Sequence, residues 1–166
     1  MTTRTLEKEA LLVEKQKVLE AYLSGLDKKI RETEKALDSI YEGVYTAPKP
    51  SESHSDTTRS QQSKLAIETE RRLSSLKSTR AAAGQIFLQK VICPTVGALI
   101  AIEDIGFREI EYYFVVPGQG GESLFLDKTE IMFISLQSPI LEAVSGTKEG
   151  DSFDFRGRKL RLVAIS

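Results

Sequence analysis

The feature that most constrains this chain is a long stripe of apolar residues with helical spacing in its first third. Between Leu12 and Val44 the apolar positions recur every three or four residues, and charged residues fill most positions between them. An a/d stripe sustained for about four heptads is typical of one helix of a coiled coil. Its members are Leu12, Leu19, Leu23, Leu26, Ile30, Leu37, Ile40 and Val44. The sequence therefore predicts a long helix that packs against a second helix.

A second helical segment follows a stretch that ends the first. Pro48 and Pro50 cannot continue a helix, and the Ser and Asp residues after them suit the N-cap of a new one. A weaker apolar stripe runs through residues 66–87. In an antiparallel pair the numbers of facing residues have a constant sum, and the two stripes match at a sum of 102–103. We therefore predict an antiparallel coiled-coil hairpin over residues 1–92, with its tip near residues 45–58.

After residue 93 the spacing changes from helical to alternating. Runs rich in Val, Ile, Tyr and Phe, bounded by Gly, Pro or acidic turns, are typical of strands. They cover residues 96–103, 109–116, 130–135, 151–155 and 159–165. Ser138 as N-cap, Pro139 at the first helical position and Gly146 past the end predict one short helix. Residues 93–166 are therefore predicted to form an α+β domain with a small antiparallel sheet of about five strands.

Composition narrows the classes of function. The 166 residues include one Cys and one His, which excludes a disulfide framework and a Cys/His zinc site. His54 lies in a polar stretch with prolines and is a poor candidate for a triad base. Residues 1–90 carry a net charge of +3 and residues 91–166 one of −4, far from the dense basic charge of a duplex-DNA binder. Neither a membrane span nor a secretion signal is predicted, so we expect a cytoplasmic protein.

The segment from Ile134 to Asp151, ISLQSPILEAVSGTKEGD, resembles the C-terminal signature of the Gre family of bacterial transcript-cleavage factors. The positions that match are Ser135, Ser138, Pro139, Ile140, Ala143, Gly146, Gly150 and Asp151, whereas Leu141 and Ser145 depart from the pattern. A helical hairpin before this segment is also the arrangement of that family. The resemblance implies an antiparallel coiled coil followed by a domain with an FKBP-like fold.

RNA polymerase is the partner that the resemblance implies. The polymerase contacts would come from Ser135, Ser138, Pro139 and Ile140, and the hairpin would enter the secondary channel. In such factors, carboxylates at the tip help to hold the second Mg²⁺ of the polymerase, which positions water for RNA hydrolysis. The chain would then be no enzyme itself and at most a co-catalyst. It would be a monomer without a cofactor of its own or a membrane partner, and would meet nucleic acid only within the polymerase complex.

The tip of the hairpin departs from the acidic motif of the Gre family. Asp56 takes the first acidic position and is the candidate metal ligand, but Arg59 stands at the second, where a cation repels Mg²⁺. Asp56 also suits the N-cap of the second helix, and Glu52 or Glu42 could replace the missing acid. We therefore predict a regulator of elongation with weak or no cleavage stimulation. The alternative is a true cleavage factor that uses Asp56 and Glu52 with the Mg²⁺ of the polymerase.

Two further alternatives follow from the same fold. An FKBP-like prolyl isomerase would line its pocket with aromatic residues that include a Trp, and this chain contains none. A polymerase-binding regulator with a short coiled coil would not reach the active centre, and the length of the predicted hairpin does not favour it.

Overall fold

The computed structural model describes residues 3–46, 55–89, 91–126 and 128–166. Its elements are α1 (Thr3–Thr46), α2 (Ser55–Ala83), β1 (Leu99–Asp104), β2 (Glu109–Val115), β3 (Ser123–Leu126), β4 (Thr129–Ile134), α3 (Pro139–Val144), β5 (Ser152–Phe155) and β6 (Arg158–Ile165). Two long helices therefore precede a sheet with one short helix, which confirms the predicted α+β class.

The chain divides into two compact units. Residues 23–81 form the first, which we call the hairpin unit, and residues 1–22 and 82–166 form the second, the sheet unit. The predicted boundary at residue 92 follows the change from helical to alternating spacing, whereas the compact units place the start of α1 with the sheet. α1 therefore contributes residues to both units.

Within the hairpin unit, α1 and α2 are antiparallel. Arg80 donates from Nε to Asp27 Oδ1 at 2.7 Å, and the Lys77 ammonium lies 2.7 Å from Glu34 Oε1. Residue numbers thus rise along α1 as they fall along α2. Both pairs are partly exposed to solvent, so they identify the partners but contribute little to stability. The predicted helical hairpin is confirmed.

The register of the two helices differs from the predicted one. The paired residue numbers add to 107 for the first of these ion pairs and to 111 for the second, above the predicted 102–103. The Tyr41 hydroxyl donates to the Glu70 carboxylate, and this pair also adds to 111. Sliding one helix by a heptad brings the same apolar positions back into the seam. Apolar spacing alone therefore leaves the register open, and the cross-helix pairs lie four to nine residues above the predicted sum.

The sheet has six strands in the order β3-β4-β2-β1-β6-β5. All neighbouring strands are antiparallel except β2 and β4, which pair in parallel from Tyr112 with Ile131 to Val115 with Ile134. The expected antiparallel sheet of about five strands is thus corrected to a mixed sheet of six. The added strand, β3, follows a Gly-rich stretch that reads as a loop, and it separates β2 from β4 along the chain. β4 therefore returns beside β2 in the same direction.

One face of the sheet carries the main apolar core, which α3 covers. The buried residues of this core are Ala98, Ile100, Ile102, Tyr113, Val115, Ile134, Ile140, Leu141, Val144, Leu160, Leu162 and Ile165. Because side chains alternate between the two faces of a strand, Phe114 and Phe133 point to the opposite face. There the ring of Tyr22 in α1 lies 4.8 Å from the ring of Phe133. The start of α1 and α3 therefore pack on opposite faces of the sheet.

Two turns depend on backbone conformations that the sequence indicates. Arg156 and Gly157 both have positive φ angles, +49° and +78°, as a two-residue type I′ hairpin requires. They join β5 to β6 in a tight hairpin. Gly97 has a φ of +86°, and a Cβ there would lie 2.5 Å from Cγ2 of Ile86. Gly97 therefore allows the segment before β1 to pass close to residues that follow α2.

Lys15 is a fully buried cation in the first part of α1. Its ammonium donates to the backbone carbonyl of Gln89 at 3.0 Å, and burial lowers its pKa. In the sequence, Lys15 only interrupts the apolar stripe. In the structure it ties α1 to the segment between α2 and β1, a contact that no local pattern reveals.

Candidate functional site

The Gre-like segment, residues 134–151, forms the end of β4, a turn, α3 and a second turn. The amide of Ser138 donates to the carbonyl of Ser135 at 3.0 Å, and the carbonyl of Ser138 accepts the amides of Leu141 and Glu142. Ser138 is the N-cap with an extended backbone, and Pro139 occupies the start of α3, as predicted. The side chain of Ser138 makes no capping hydrogen bond. The Ser-Pro pair thus fixes the point at which the chain leaves β4 and enters α3.

The second turn accounts for several of the other residues that match the Gre pattern. Gly146 and Gly150 have positive φ angles, +86° and +95°, which favour glycine. Asp151 accepts a hydrogen bond from the amide of Lys148 at 3.0 Å, and the Thr147 hydroxyl donates to the carbonyl of Val144 at 2.7 Å. Much of the resemblance therefore lies in positions that this turn requires.

The four predicted polymerase-contacting residues differ in exposure. Pro139 is exposed, and Ser135 and Ser138 are half-buried. Ile140 is buried in the core under α3, so its side chain supports the segment from within. Leu136, which the sequence analysis did not single out, is 56% exposed. The outer surface of the segment therefore consists of the exposed Leu136, Gln137 and Pro139, next to two half-buried serines.

An open concavity of about 440 Å³ lies beside this surface. Its walls are formed by Pro94, Leu136, Gln137, Leu141, Glu142 and Ser145. Leu141, where the Gre pattern has Gly, is buried and forms part of the wall. Leu136 stands at the wall as an exposed apolar side chain, which gives this concavity the mixed character of a site for a protein partner. The Ser-Pro pair marks this turn in the sequence, but the exposure of Leu136, two residues before the pair, depends on the core beneath it and has no sequence signal.

A polar network is centred on Arg158 at the start of β6, and it joins the end of β1 to the first part of β2. Its Nη1 donates to Glu111 at 2.9 Å and to Asp104 at 3.3 Å. The carboxylate of Asp104 is buried and also accepts the amides of Gly106 and Phe107. Burial, together with a hydrogen bond to Glu111, raises the pKa of the Tyr113 hydroxyl. The hydrogen bond to Glu111 likewise raises the pKa of Arg158. These charges are thus largely satisfied by one another.

The predicted tip residues are only partly within the described residues. Asp56 is the second residue of α2 and therefore lies inside the helix, not at its N-cap as predicted, and Arg59 follows three positions later. Glu52 and His54 lie outside the described residues. Glu42 is exposed near the end of α1. The structure therefore places Asp56 and Arg59 at the start of α2 but does not test the pairing of Asp56 with Glu52.

The described part of the chain shows neither a cluster of metal ligands nor a membrane-spanning helix. Residues 3–46, 55–89, 91–126 and 128–166 contain no group of three or more His, Cys, Asp or Glu side chains placed to hold a metal ion. Among the same residues no helix is both long and apolar enough to cross a membrane.

Comparisons with known proteins gave matches to solved structures only. No family model and no curated protein matches the chain. A structure of the transcription factor Gfh1 is 25% identical over 90% of this chain and 91% of that one, with a TM-score of 0.33. A structure of Gfh1 from Thermus aquaticus is 22% identical over 90% of this chain and 92% of that one, with a TM-score of 0.33. A structure of GreA factor homolog 1 (Gfh1) from Thermus thermophilus is 23% identical over 90% of this chain and 93% of that one, with a TM-score of 0.32. Because these TM-scores are low, the function proposed below rests on the residues of this chain.

Proposed function

We propose that this protein binds RNA polymerase and regulates transcription elongation. The sheet unit docks through the outer surface of the Gre-like segment, and the hairpin unit enters the secondary channel. The protein acts as a monomer, has no catalytic activity of its own and meets nucleic acid only within the polymerase complex. It stimulates transcript cleavage weakly or not at all.

The observation that carries this proposal is the exposed apolar surface built by the Gre-like segment. Leu136 and Pro139 lie on the outside of a turn that is fixed by backbone hydrogen bonds at Ser138 and by the buried side chain of Ile140. A rigid turn that presents apolar side chains beside a concavity loses little conformational entropy on binding. The turn is therefore suited to hold a partner while the helices act elsewhere.

The weak cleavage activity follows from charge at the start of α2. Arg59 stands three positions after Asp56 in the sequence, where the Gre motif has its second acid. A second carboxylate in that position would add an oxygen ligand for Mg²⁺, whereas the guanidinium repels the ion. The chain is thus suited to occupy the channel without supplying a full acidic pair.

Binding is tested with the full chain and purified core RNA polymerase. Leu136→Arg should weaken binding by about tenfold or more, because it places a charge in the apolar contact. Phe107→Arg is the matched control, since Phe107 is 75% exposed in the β1–β2 turn, away from the Gre-like segment. Equal binding by the wild type and both variants would remove this docking surface, and failure of the folded wild type to bind would remove the proposal.

Cleavage is tested on backtracked elongation complexes with saturating protein. We expect the wild type to give little Mg²⁺-dependent cleavage, while it competes with an authentic cleavage factor for the polymerase. Arg59→Glu should raise cleavage because it supplies the second acid, and Arg71→Glu is a control for charge alone, since Arg71 is exposed further along α2. Strong cleavage by the wild type that is lost in Asp56→Ala would instead establish the cleavage-factor alternative.

A further inference from the structure

The strands β2 and β4 separate at one end, and this leaves part of the sheet unpaired. Their parallel ladder begins at Tyr112 with Ile131. β2 starts three residues earlier, at Glu109, and β4 starts at Thr129. The first residues of β2 pair only with β1, and those of β4 only with β3. We call the gap between residues 109–111 and 128–130 the wedge.

The wedge is a real concavity. It has a volume of about 620 Å³ and is lined by residues of both strands and by Arg158. This volume is within the range of about 300–1,000 Å³ that is typical of binding sites. Met132 on β4 is 42% exposed and Ile110 on β2 is 48% exposed, so apolar side chains are accessible there. An unpaired strand edge beside accessible apolar side chains is the arrangement to which extended peptides add as a strand.

The available charge in the wedge is acidic. Glu111 and Arg158 already bind each other. Of the other charged residues that line it, Glu109 and Glu130 are acidic and only Lys128 is basic, and all three are exposed. Within the described part of the chain, neither Glu109 nor Glu130 has an ion-pair partner. A segment that carries Lys or Arg would complement this charge.

We propose that the wedge binds an extended, basic segment of a partner protein by strand addition along residues 109–111. The backbone of the segment pairs with the open edge of β2. Its apolar side chains contact Ile110 on one face of the sheet, and its cations approach Glu109 and Glu130 on the other face, where Met132 lies beside them. No bond is made or broken in this step.

This surface is separate from the one through which the sheet unit is proposed to bind RNA polymerase. The wedge lies at the start of β4 and the Gre-like segment at its end, and six residues of strand span about 17 Å. The wedge thus adds a second binding surface to the sheet unit. Because its test needs no polymerase, its failure would leave the proposed function intact.

The probe is a short synthetic peptide in which Lys alternates with Val, added to the isotope-labelled full chain at low salt. We expect saturable shifts of the backbone amide NMR signals at residues 109–112 and 128–132. Glu109→Lys combined with Glu130→Lys should weaken binding about tenfold, the effect of two partly screened charge contacts. Asp154→Lys is the matched control, because Asp154 is an exposed acid on β5 at the opposite edge of the sheet.

Two control peptides separate charge from strand pairing. A peptide with Glu in place of Lys should not bind, because it lacks charge complementarity. A peptide methylated on alternate backbone nitrogens keeps the charge but loses the donors that a strand needs, so it should also fail. Equal binding of the methylated peptide would overturn strand addition, and equal binding of the acidic peptide would overturn the charge assignment. Absence of shifts in the wedge, or shifts confined to the Gre-like segment, would overturn the proposal.

Discussion

Burial of Tyr22 in α1, together with the nearby Glu122 carboxylate, raises the pKa of its hydroxyl to about 12. Replacing this residue by Phe tests how the start of α1 packs on the sheet. The ring, which lies against Phe133, is retained, and only the hydroxyl is lost. That hydroxyl is 3.5 Å from the carbonyl of Pro117, at the outer limit of a hydrogen bond. At neutral pH, Tyr22→Phe should therefore change the free energy of unfolding by less than about 1 kcal/mol.

At high pH the stabilities of the wild type and of Tyr22→Phe should differ. A tyrosine in the unfolded chain ionises near pH 10, whereas folded Tyr22 keeps its proton until about pH 12. Between these values the unfolded state binds fewer protons than the folded state, so stability falls as pH rises. The contribution of the neutral hydroxyl is fully present below pH 10 and is lost towards pH 12. At about pH 11 the loss amounts to about 1.4 kcal/mol, and Tyr22→Phe removes it.

Urea unfolding of both proteins at about pH 8 and about pH 11, followed by the circular dichroism of the tyrosines, measures the difference. Between these two pH values the free energy of unfolding of the wild type should fall by about 1.4 kcal/mol more than that of Tyr22→Phe. Tyr112 and Tyr113, whose pKa values are also raised by burial, are present in both proteins and cancel. Equal losses would show that Tyr22 titrates as a solvated side chain and that α1 does not bury it against the sheet.

Two further changes test the turns of the sheet unit. Asp104→Ala should lower the free energy of unfolding in urea by about 3 kcal/mol, because it removes the acceptor for two turn amides and one of the two acids at Arg158. Asp104→Asn keeps an amide oxygen and should lower it by about 1 kcal/mol. Equal losses would contradict the turn-capping role. Gly97→Ala should lower the free energy of unfolding by about 2 kcal/mol, because Gly97 has a positive φ and the side chain of Ile86 lies close to it. Adding Ile86→Ala should restore part of this loss. No restoration would show that the strain lies in φ alone.

The sequence predicts the helical hairpin and α3 well because both depend on local patterns. The apolar spacing between Leu12 and Val44 defines one face of a helix whatever its partner, and Ser138, Pro139 and Gly146 mark the ends of α3 directly. The helical register is different, since a shift of one heptad leaves the apolar seam unchanged. The residues that meet across the two helices, such as Asp27 and Arg80, are far apart in the sequence, and no local window contains both.

The site was predicted less completely for a similar reason. The Ser-Pro pair identifies the turn, but whether a neighbouring side chain such as Leu136 is exposed depends on the core beneath it. The wedge depends on the parallel pairing of β2 with β4, two strands separated by β3, and so has no sequence pattern of its own. Buried Lys15 interrupts an apolar stripe in the sequence, and only its distant partner at Gln89 explains it.

The contact between Tyr22 and Phe133 has a consequence for the order in which the chain folds. The two residues are 111 positions apart, and during synthesis α1 leaves the ribosome long before β4 exists. The hairpin unit is continuous in sequence, so it can form first, and its Asp27–Arg80 pair brings the two ends of that unit together. This shortens the remaining loop by about half and lowers its closure cost by roughly 0.6 kcal/mol. We therefore expect the hairpin unit to fold first and so to make the later contact between the start of α1 and the sheet easier to form.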